Sequence, residues 1–168
     1  MNKTGKRIYD ELIIDDLGTA KPAQIGVDLS IAKIEEIHGY AHFDENSKVH
    51  GITYQEAPYK EKDGVKLYYL EPRTDYAITL QQGIKPLRDN EWGIILQRSS
   101  FIRCGCHLVS SAWDPGFHTN SMGTTLTTGP IPVVVPVGTR VGQLIIFDCE
   151  EVSEEDLYNG TWQGKANA

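Results

Sequence analysis

Residues 65–97 read VKLYYLEPRTDYAITLQQGIKPLRDNEWGIILQ, and this stretch decides the fold class. It holds three runs of apolar, β-branched and aromatic residues, at residues 65–70, 75–81 and 92–97. Turn-forming residues such as Pro72, Gly83 and Pro86 separate the runs. Short runs of this composition between turn residues predict β-strands.

The same pattern continues towards the C-terminus. Further strand-like runs lie at residues 106–109, 124–128, 133–135 and 141–147. Many short strands at near-regular spacing are typical of a β-sandwich, a jelly roll or a distorted barrel. The sequence therefore predicts a mainly β fold.

The flanking segments add a few other elements. Apolar residues at helical spacing predict a short helix over residues 6–17, and Ile25, Val27 and Leu29 alternate with polar or small residues in a strand predicted over residues 24–34. The polar residues 41–64 predict an exposed excursion, read as a hairpin. A second short helix is expected to begin at Ser99 or Ser100, because serine is a favoured helix N-cap.

Length and composition are those of one globular domain. The protein has 168 residues, 40% of them hydrophobic and 23% charged, which excludes disordered, collagen-like and coiled-coil proteins. No apolar run reaches the roughly 18 residues of a membrane span, and the first residues do not resemble a secretory signal. The net charge of −7 argues against nucleic acid or a membrane surface as partner. Three cysteines suit a reducing compartment, so we expect a cytoplasmic protein.

Four short segments carry the residues with chemical potential. They are PAQIGVDL at residues 22–29, RSSFIRCG at 98–105, AWDPGF at 112–117 and PVGTRVGQLIIF at 136–147. Planar arginine donors and serine hydroxyls, as in the second segment, suit phosphate oxygens. Asp-Pro-Gly predicts a rigid turn that can hold a carboxylate beside an aromatic ring, where it can orient or deprotonate a water molecule.

Each segment taken alone has an ordinary interpretation. Asp28 reads as a strand acid that faces water, Arg98 as a surface arginine beside a helix cap, and Asp114 as a turn acid. Gln143 interrupts an apolar strand, so it faces either solvent or a site.

In this order, the four segments resemble those of the trimeric dUTPase and dCTP deaminase superfamily, over about residues 20–164. The stretch YYLEPRTDYAITL at residues 68–80 and the tail around Trp162, Gln163 and Gly164 resemble the deaminase branch. The resemblance implies a dUTPase-like distorted jelly roll or β-barrel over residues 1–152, with one or two short helices and a C-terminal arm over residues 153–168. It also implies a homotrimer with active sites between subunits.

The resemblance assigns roles to individual residues. Asp114 matches the acid that activates the attacking water in dUTPases, and Asp28 matches an acid that organises the metal and the site. Phe117 matches an aromatic that packs on the deoxyribose, and Arg103 an arginine of the deaminase motif. The residues expected to bind nucleotide or phosphate are Arg98, Ser99, Ser100, Arg103, Phe117, Gln143, Trp162, Gln163 and Lys165.

The two branches of this superfamily do different chemistry. The long spacing between Asp28 and Arg98 and the absence of a glycine-rich C-terminal motif resemble the deaminase branch, but the deaminating residue does not. The deaminases use a glutamate a few residues beyond the hairpin, where Thr124 stands here, and no Asp or Glu occurs between residues 115 and 147. Threonine does no general acid–base chemistry near neutral pH. We therefore expect Mg²⁺-dependent hydrolysis of a pyrimidine deoxynucleoside triphosphate, with dUTP giving dUMP and pyrophosphate. The alternatives are a dCTP deaminase or bifunctional deaminase–dUTPase, and a catalytically silent homologue that binds a nucleotide or a partner.

Overall fold

The computed structural model describes residues 3–14 and 19–164. The N-terminal half contains α1 (Gly5–Leu12), β1 (Ile13–Ile14), β2 (Lys21–Pro22), β3 (Val27–Phe43), β4 (Val49–Glu56), β5 (Tyr59–Lys62), β6 (Val65–Leu70), β7 (Asp75–Leu80) and β8 (Gly83–Ile84). The C-terminal half contains β9 (Glu91–Gln97), α2 (Ser99–Arg103), β10 (His107–Val109), β11 (Gly123–Thr127), β12 (Val133–Pro136), β13 (Arg140–Asp148) and a 3₁₀ turn (Glu154–Asp156). The fold is mainly β, as the sequence predicts.

The largest sheet has the strand order β10-β11-β7-β3-β13-β9. Its two ends approach each other, since the backbone N–H of Leu108 donates to Gln97 Oε1 at 2.7 Å. The backbones of Gly93 and Trp113 also exchange hydrogen bonds of 3.0 and 2.8 Å. These contacts bring the two ends of the sheet together in a distorted barrel.

The core lies inside this barrel and under a second sheet of order β12-β6-β5. Branched side chains of the central strands are fully buried, among them Ile31, Ile78 and Leu144. The second sheet adds Tyr68 and Leu70, which are also buried. Removal of this apolar surface from water is the main stabilising contribution to such a fold.

The predicted strands from residue 65 onward are confirmed, and most of their ends agree with the structure to within one residue. The first predicted strand differs. β3 begins at Val27 instead of residue 24 and continues to Phe43, and its first five residues are all buried. The predicted alternation is wrong because this central strand is covered on both faces, where strands lose their alternation. Asp28 is therefore buried and does not face water.

The two helices and the hairpin were predicted in outline. The first helix ends at Leu12, because Ile13 and Ile14 pair with β8; residues 15–17 of the predicted helix lie outside the described part. The second begins at Ser99, but its N-cap is Arg98 and it lacks a side-chain cap, so the expected serine cap is wrong. β3 and β4 form the exposed hairpin. Among the described residues, no helix is long and apolar enough to cross a membrane.

Candidate functional site

Three of the candidate residues meet at one point of the barrel. Asp28 of β3 lies directly opposite Gln143 of β13. Gln143 Nε2 donates a hydrogen bond of 3.1 Å to Asp28 Oδ1, and Arg98 forms an ion pair with Asp28 Oδ2. Asp28 is only 7% exposed, whereas about a third of the Arg98 side chain remains accessible. The buried acid thus fixes the guanidinium. Within residues 3–14 and 19–164 the guanidinium has no other ion pair or side-chain hydrogen bond, so its remaining N–H donors can bind an anion.

A glycine makes this arrangement possible. A Cβ on Gly26 would lie 2.5 Å from the carbonyl oxygen of Leu144 and 2.7 Å from Cγ of Gln143. Only glycine therefore lets the turn that precedes β3, closed by a hydrogen bond from Ala23 N to Gly26 O, approach β13 so closely. The first segment of the sequence thus positions both the acid and the glutamine.

The segment after β9 brings hydroxyls to the same region. Ser99 and Ser100 are exposed and begin α2 directly after Arg98. Arg103 is exposed in the last turn of that five-residue helix. The structure thus places two of the predicted phosphate contacts beside Arg98, and Arg103 at the opposite end of the helix.

The Asp-Pro-Gly turn forms a separate cluster. The turn is closed by a hydrogen bond from Phe117 N to Asp114 O, and Gly116 has φ +86°, a conformation that favours glycine. Phe117 is buried between Trp113 and Tyr158, with ring centroids at 5.1 and 5.5 Å. The carboxylate of Asp114 is exposed.

This cluster borders a cleft of about 220 Å³. The cleft is lined by Ser111, Ala112, Trp113, Asp114, Phe117, Thr119, Gly123, Tyr158 and Trp162. It thus presents one carboxylate against aromatic walls. Such a surface suits a flat, partly apolar ligand whose reacting group lies near the acid.

Residues of the C-terminal tail pack on this same hairpin. Tyr158 N donates to Pro115 O at 2.9 Å. Gln163 Nε2 donates to Gly116 O at 2.9 Å, and Gln163 Oε1 accepts from His118 N at 3.1 Å. Trp162 lines the cleft while 45% exposed, and Lys165 lies outside the described residues.

The hydroxyl of Thr124 makes a hydrogen bond that stabilises the fold. Its side chain is buried in β11, and its hydroxyl donates to the carbonyl oxygen of Val109 at 2.5 Å. This hydrogen bond reinforces the pairing of β10 with β11. A hydroxyl held in this way does not supply the proton transfers that a glutamate performs.

The two clusters lie at different places in the fold. Gly93, which pairs with Trp113, lies opposite Ile146 of β13, three residues from Gln143. At about 3.3 Å per strand residue, this is an offset of about 10 Å along the strand. Within residues 3–14 and 19–164, no hydrogen bond or ion pair joins Asp114 to Asp28, Arg98 or Gln143. Nor do these residues include a group of three or more His, Cys, Asp or Glu side chains that could hold a metal ion.

Of the residues that line the cleft, the sequence analysis assigned site roles only to Asp114, Phe117 and Trp162. Tyr158 and Thr119 are among those it missed. Tyr158 packs edge-on against Phe117, and Thr119 also lines the cleft. The signal for Tyr158 was an isolated aromatic in the acidic stretch that follows Ser153. For Thr119 the sequence offers no such signal, because small polar residues surround it.

Comparison with known proteins identifies the family to which this protein belongs. The family model described as dCTP deaminase-like matches residues 2–149. The chain belongs to this family. Its curated relatives include the probable deoxyuridine 5'-triphosphate nucleotidohydrolase of Aeropyrum pernix, which is 28% identical over 88% of this protein and 87% of the relative. The deoxyuridine 5'-triphosphate nucleotidohydrolase of Methanocaldococcus jannaschii is 29% identical over 96% of both proteins.

A solved structure shares the fold of this family member. The 2'-deoxycytidine 5'-triphosphate deaminase of Agrobacterium tumefaciens superposes with a TM-score of 0.62 at 14% identity. The match covers 86% of this protein but only 46% of the deaminase, so this protein spans about half the length of the deaminase. At this identity the likeness concerns the fold alone.

Proposed function

We propose that this protein hydrolyses dUTP to dUMP and pyrophosphate. The observation that carries the proposal is the exposed carboxylate of Asp114, which lines an aromatic cleft. In addition, a hydrogen-bonded threonine, Thr124, stands where the resemblance expects the deaminating glutamate. The names of the relatives from Aeropyrum pernix and Methanocaldococcus jannaschii support the same substrate.

In the proposed reaction, the cluster around Asp114 and the cluster around Arg98 have different roles. Asp114 accepts a proton from the water molecule that attacks the α-phosphorus, and the oxygen of that water forms the new P–O bond as the bond to pyrophosphate breaks. Arg98 and the hydroxyls of Ser99 and Ser100 bind the phosphates and balance their charge. Phe117 packs on the deoxyribose.

The substrate in this proposal is the Mg²⁺ complex of dUTP. Mg²⁺ keeps most of its water ligands and binds readily to phosphate oxygens, so it arrives with the triphosphate. Asp28 already accepts from Arg98 and Gln143, and we assign it the role of holding these two side chains rather than of binding the metal directly.

We also propose that the active protein is a homotrimer whose sites combine two subunits. A cleft of about 220 Å³ lies below the range of complete ligand sites, about 300–1,000 Å³. The phosphate-binding cluster around Arg98 and the carboxylate of Asp114 belong to different parts of one subunit. A neighbouring copy can supply the missing half of each site.

A product assay tests the proposal. The purified protein is incubated with Mg²⁺ and dUTP, dCTP, dTTP or UTP, and the products are separated by chromatography. We expect dUMP and pyrophosphate from dUTP, and no conversion of dCTP to a uracil nucleotide. Deamination of dCTP would favour the deaminase or bifunctional alternative, and binding without turnover would favour the silent homologue.

The variant Asp114→Asn assigns the catalytic role. Removing a general base costs about 10²- to 10⁴-fold in rate, so kcat should fall by at least about 100-fold while nucleotide affinity stays within a few-fold. Asp63→Asn is the matched control: Asp63 is an exposed acid in another hairpin turn, and its φ of +53° is tolerated by asparagine. Equal losses in both variants would contradict the role of Asp114.

A further inference from the structure

Two histidines face each other across the exposed β3–β4 hairpin. His42 of β3 lies directly opposite His50 of β4, so both side chains project from the same face of the strand pair. Their rings are stacked, with centroids 5.5 Å apart and an angle of 28° between the ring planes. Both residues are exposed. Imidazole is the commonest metal-binding side chain in proteins, so two adjacent rings form a candidate chelate.

A β-bulge brings the two rings together. The pairing register shifts between Gly39 and His42, where β3 contains one residue more than β4. Gly39 and Gly51 have φ of +99° and +80°, and a Cβ on Gly51 would lie 2.2 Å from the carbonyl oxygen of Tyr40. Without the extra residue, the register of His42 would differ by one position, and its side chain would project from the other face of the hairpin. The bulge thus places His42 beside His50.

Asp44 determines which nitrogen of the His50 ring is available. Asp44 Oδ1 accepts from the backbone N–H groups of Asn46 and Lys48, both at 2.9 Å, which fixes the carboxylate in the turn. Asp44 Oδ2 lies 2.8 Å from His50 Nε2, and this hydrogen bond is the largest of the effects that lower the pKa of Asp44. A carboxylate only accepts, so Nε2 donates. In the neutral ring, Nδ1 of His50 then keeps a lone pair that can bind a metal ion.

The spacing of the rings fits a single metal ion. A Zn²⁺–N bond measures about 2.0–2.1 Å and the geometry around Zn²⁺ is tetrahedral, so the centres of two imidazole rings on one ion lie about 5 Å apart. The observed separation of 5.5 Å is close to this value, and exposed side chains rotate readily. Within the described residues, the hydrogen bond of His50 to Asp44 is the only one that the ring nitrogens of His42 and His50 make.

We propose that His42 and His50 bind one divalent transition-metal ion, with Asp44 as the outer carboxylate that orients His50. Imidazole nitrogens suit Zn²⁺, Ni²⁺ and Cu²⁺, whereas Mg²⁺ prefers oxygen ligands. Water fills the remaining coordination positions, because no third His, Cys, Asp or Glu of the described residues completes the site. Neither histidine lines the cleft that contains Asp114, so the site is independent of the proposed function.

The bound ion would join two strands that lack other support at this point. Beyond Glu36, the pairing partner of β3 within the described part of the chain is β4 alone. A metal ion held by one side chain from each strand binds only while the strands are paired. Binding therefore stabilises the paired state of the hairpin and slows its local opening.

A zinc titration tests the site. ZnCl₂ is titrated calorimetrically into the wild type, His42→Ala, His50→Ala and His38→Ala. His38 is the matched control, because it is an exposed histidine of the same strand that lies opposite Thr53 and contacts Glu36. Once one ring has bound the ion, the second ring binds intramolecularly. Loss of either ring should therefore weaken Zn²⁺ binding at least about 10-fold, and His38→Ala should match the wild type.

NMR spectra of the histidine rings locate the ion. One equivalent of Zn²⁺ should shift the ring signals of His42 and His50 together and leave those of His38 in place, whereas Mg²⁺ should shift none of them. Zn²⁺ should also slow hydrogen exchange of the β3–β4 amides in the wild type but not in His42→Ala. A shift of one ring alone, or equal affinity of the wild type and His42→Ala for Zn²⁺, would overturn the proposal.

Asp44→Asn tests the outer carboxylate. Removal of such a partner lowers metal affinity by about 10- to 100-fold, and because this site is exposed we expect a loss of about 10-fold. Asparagine keeps an oxygen for the two turn amides, so both histidine rings should still shift together with Zn²⁺. Unchanged affinity in this variant would overturn the role assigned to Asp44.

Discussion

The ion pair between Arg98 and Asp28 should contribute to stability as well as to binding. Both oxygens of the buried carboxylate are engaged, one by Arg98 and the other by Gln143. Removing the guanidinium leaves a buried charge with one partner, which costs several kcal/mol when the pair is fully buried. Since a third of Arg98 is accessible, we expect Arg98→Ala to lower the free energy of unfolding by about 1–3 kcal/mol in urea titrations.

A double-mutant cycle with Asp28→Asn isolates this pair. In the Asp28→Asn background no buried charge remains, so Arg98→Ala should cost clearly less than it does alone. Arg103→Ala, which removes an exposed arginine five residues away, should stay within about 0.5 kcal/mol of the wild type. If Arg98→Ala cost the same in both backgrounds, the carboxylate would not depend on the arginine.

Local chemistry explains which site residues could be predicted from the sequence. The turn at Asp114 follows from proline and glycine in adjacent positions, and Gly116 has the positive φ that this predicts. The meeting of Asp28 with Gln143 depends on the pairing register of β3 with β13, 115 residues apart in the sequence. The resemblance of four segments to one superfamily placed these residues in a common site, but spacing alone does not give such a register.

At the scale of secondary structure elements, ion pairs anchor the first helix, and the sequence pattern does not predict how these charged residues pair. Lys3 is almost fully buried, and its Nζ lies 2.7 Å from Glu11 and 2.8 Å from Glu91. Glu11 also accepts from Arg7 Nε at 2.7 Å. Hydrogen bonds from Lys3 and then from Arg7 lower the pKa of Glu11 from 4.5 to about 2. The pairing thus fixes α1 against the start of β9.

The depressed pKa of Glu11 predicts the pH dependence of stability. A carboxylate with a lower pKa in the folded state stabilises the fold above the unfolded value of 4.5, and this contribution is lost as the pH falls towards 2. Glu11→Gln should therefore be less stable than the wild type at pH 7, and the difference should shrink between pH 4.5 and pH 2. Urea unfolding across this range measures it.

Glu45→Gln is the control for this titration. Glu45 is exposed at the tip of the β3–β4 hairpin and forms no ion pair with any residue that the structure describes. Its unfolding curve should follow that of the wild type at every pH. A constant difference between Glu11→Gln and the wild type would mean that the effect of Glu11 is steric rather than electrostatic.

Element boundaries were predictable where turns are encoded locally. The strand Val65–Leu70 matches its prediction at both ends, since Gly64 and Pro72 bound it. β3 was predicted too short, because the residues after Ile34 are polar and lack the apolar alternation that predicts a strand. Pairing with β4 extends the strand there, and pairing with a distant segment is invisible to a local pattern.

On the scale of the whole molecule, apolar side chains remain exposed near the cluster of Asp28, Arg98 and Gln143. Leu96 of β9, Ile102 of α2 and Val109 of β10 are each about half exposed. Ile131 and Val134 add further exposed apolar surface at β12. Large exposed apolar groups that occur together mark interaction surfaces. They are consistent with the proposed trimer, in which a second copy would cover part of this surface.

Subunit mixing tests whether each site draws on two subunits. Arg98→Ala and Asp114→Asn are each expected to be inactive alone, but after the two proteins are unfolded together and refolded, some sites should pair the intact Arg98 cluster of one subunit with the intact Asp114 of another. Random assembly in equal amounts produces such a pair at about one interface in four, so about a quarter of the wild-type rate should return. A mixture as inactive as its components would mean that one subunit supplies both clusters, and the trimer would then have no part in building the site.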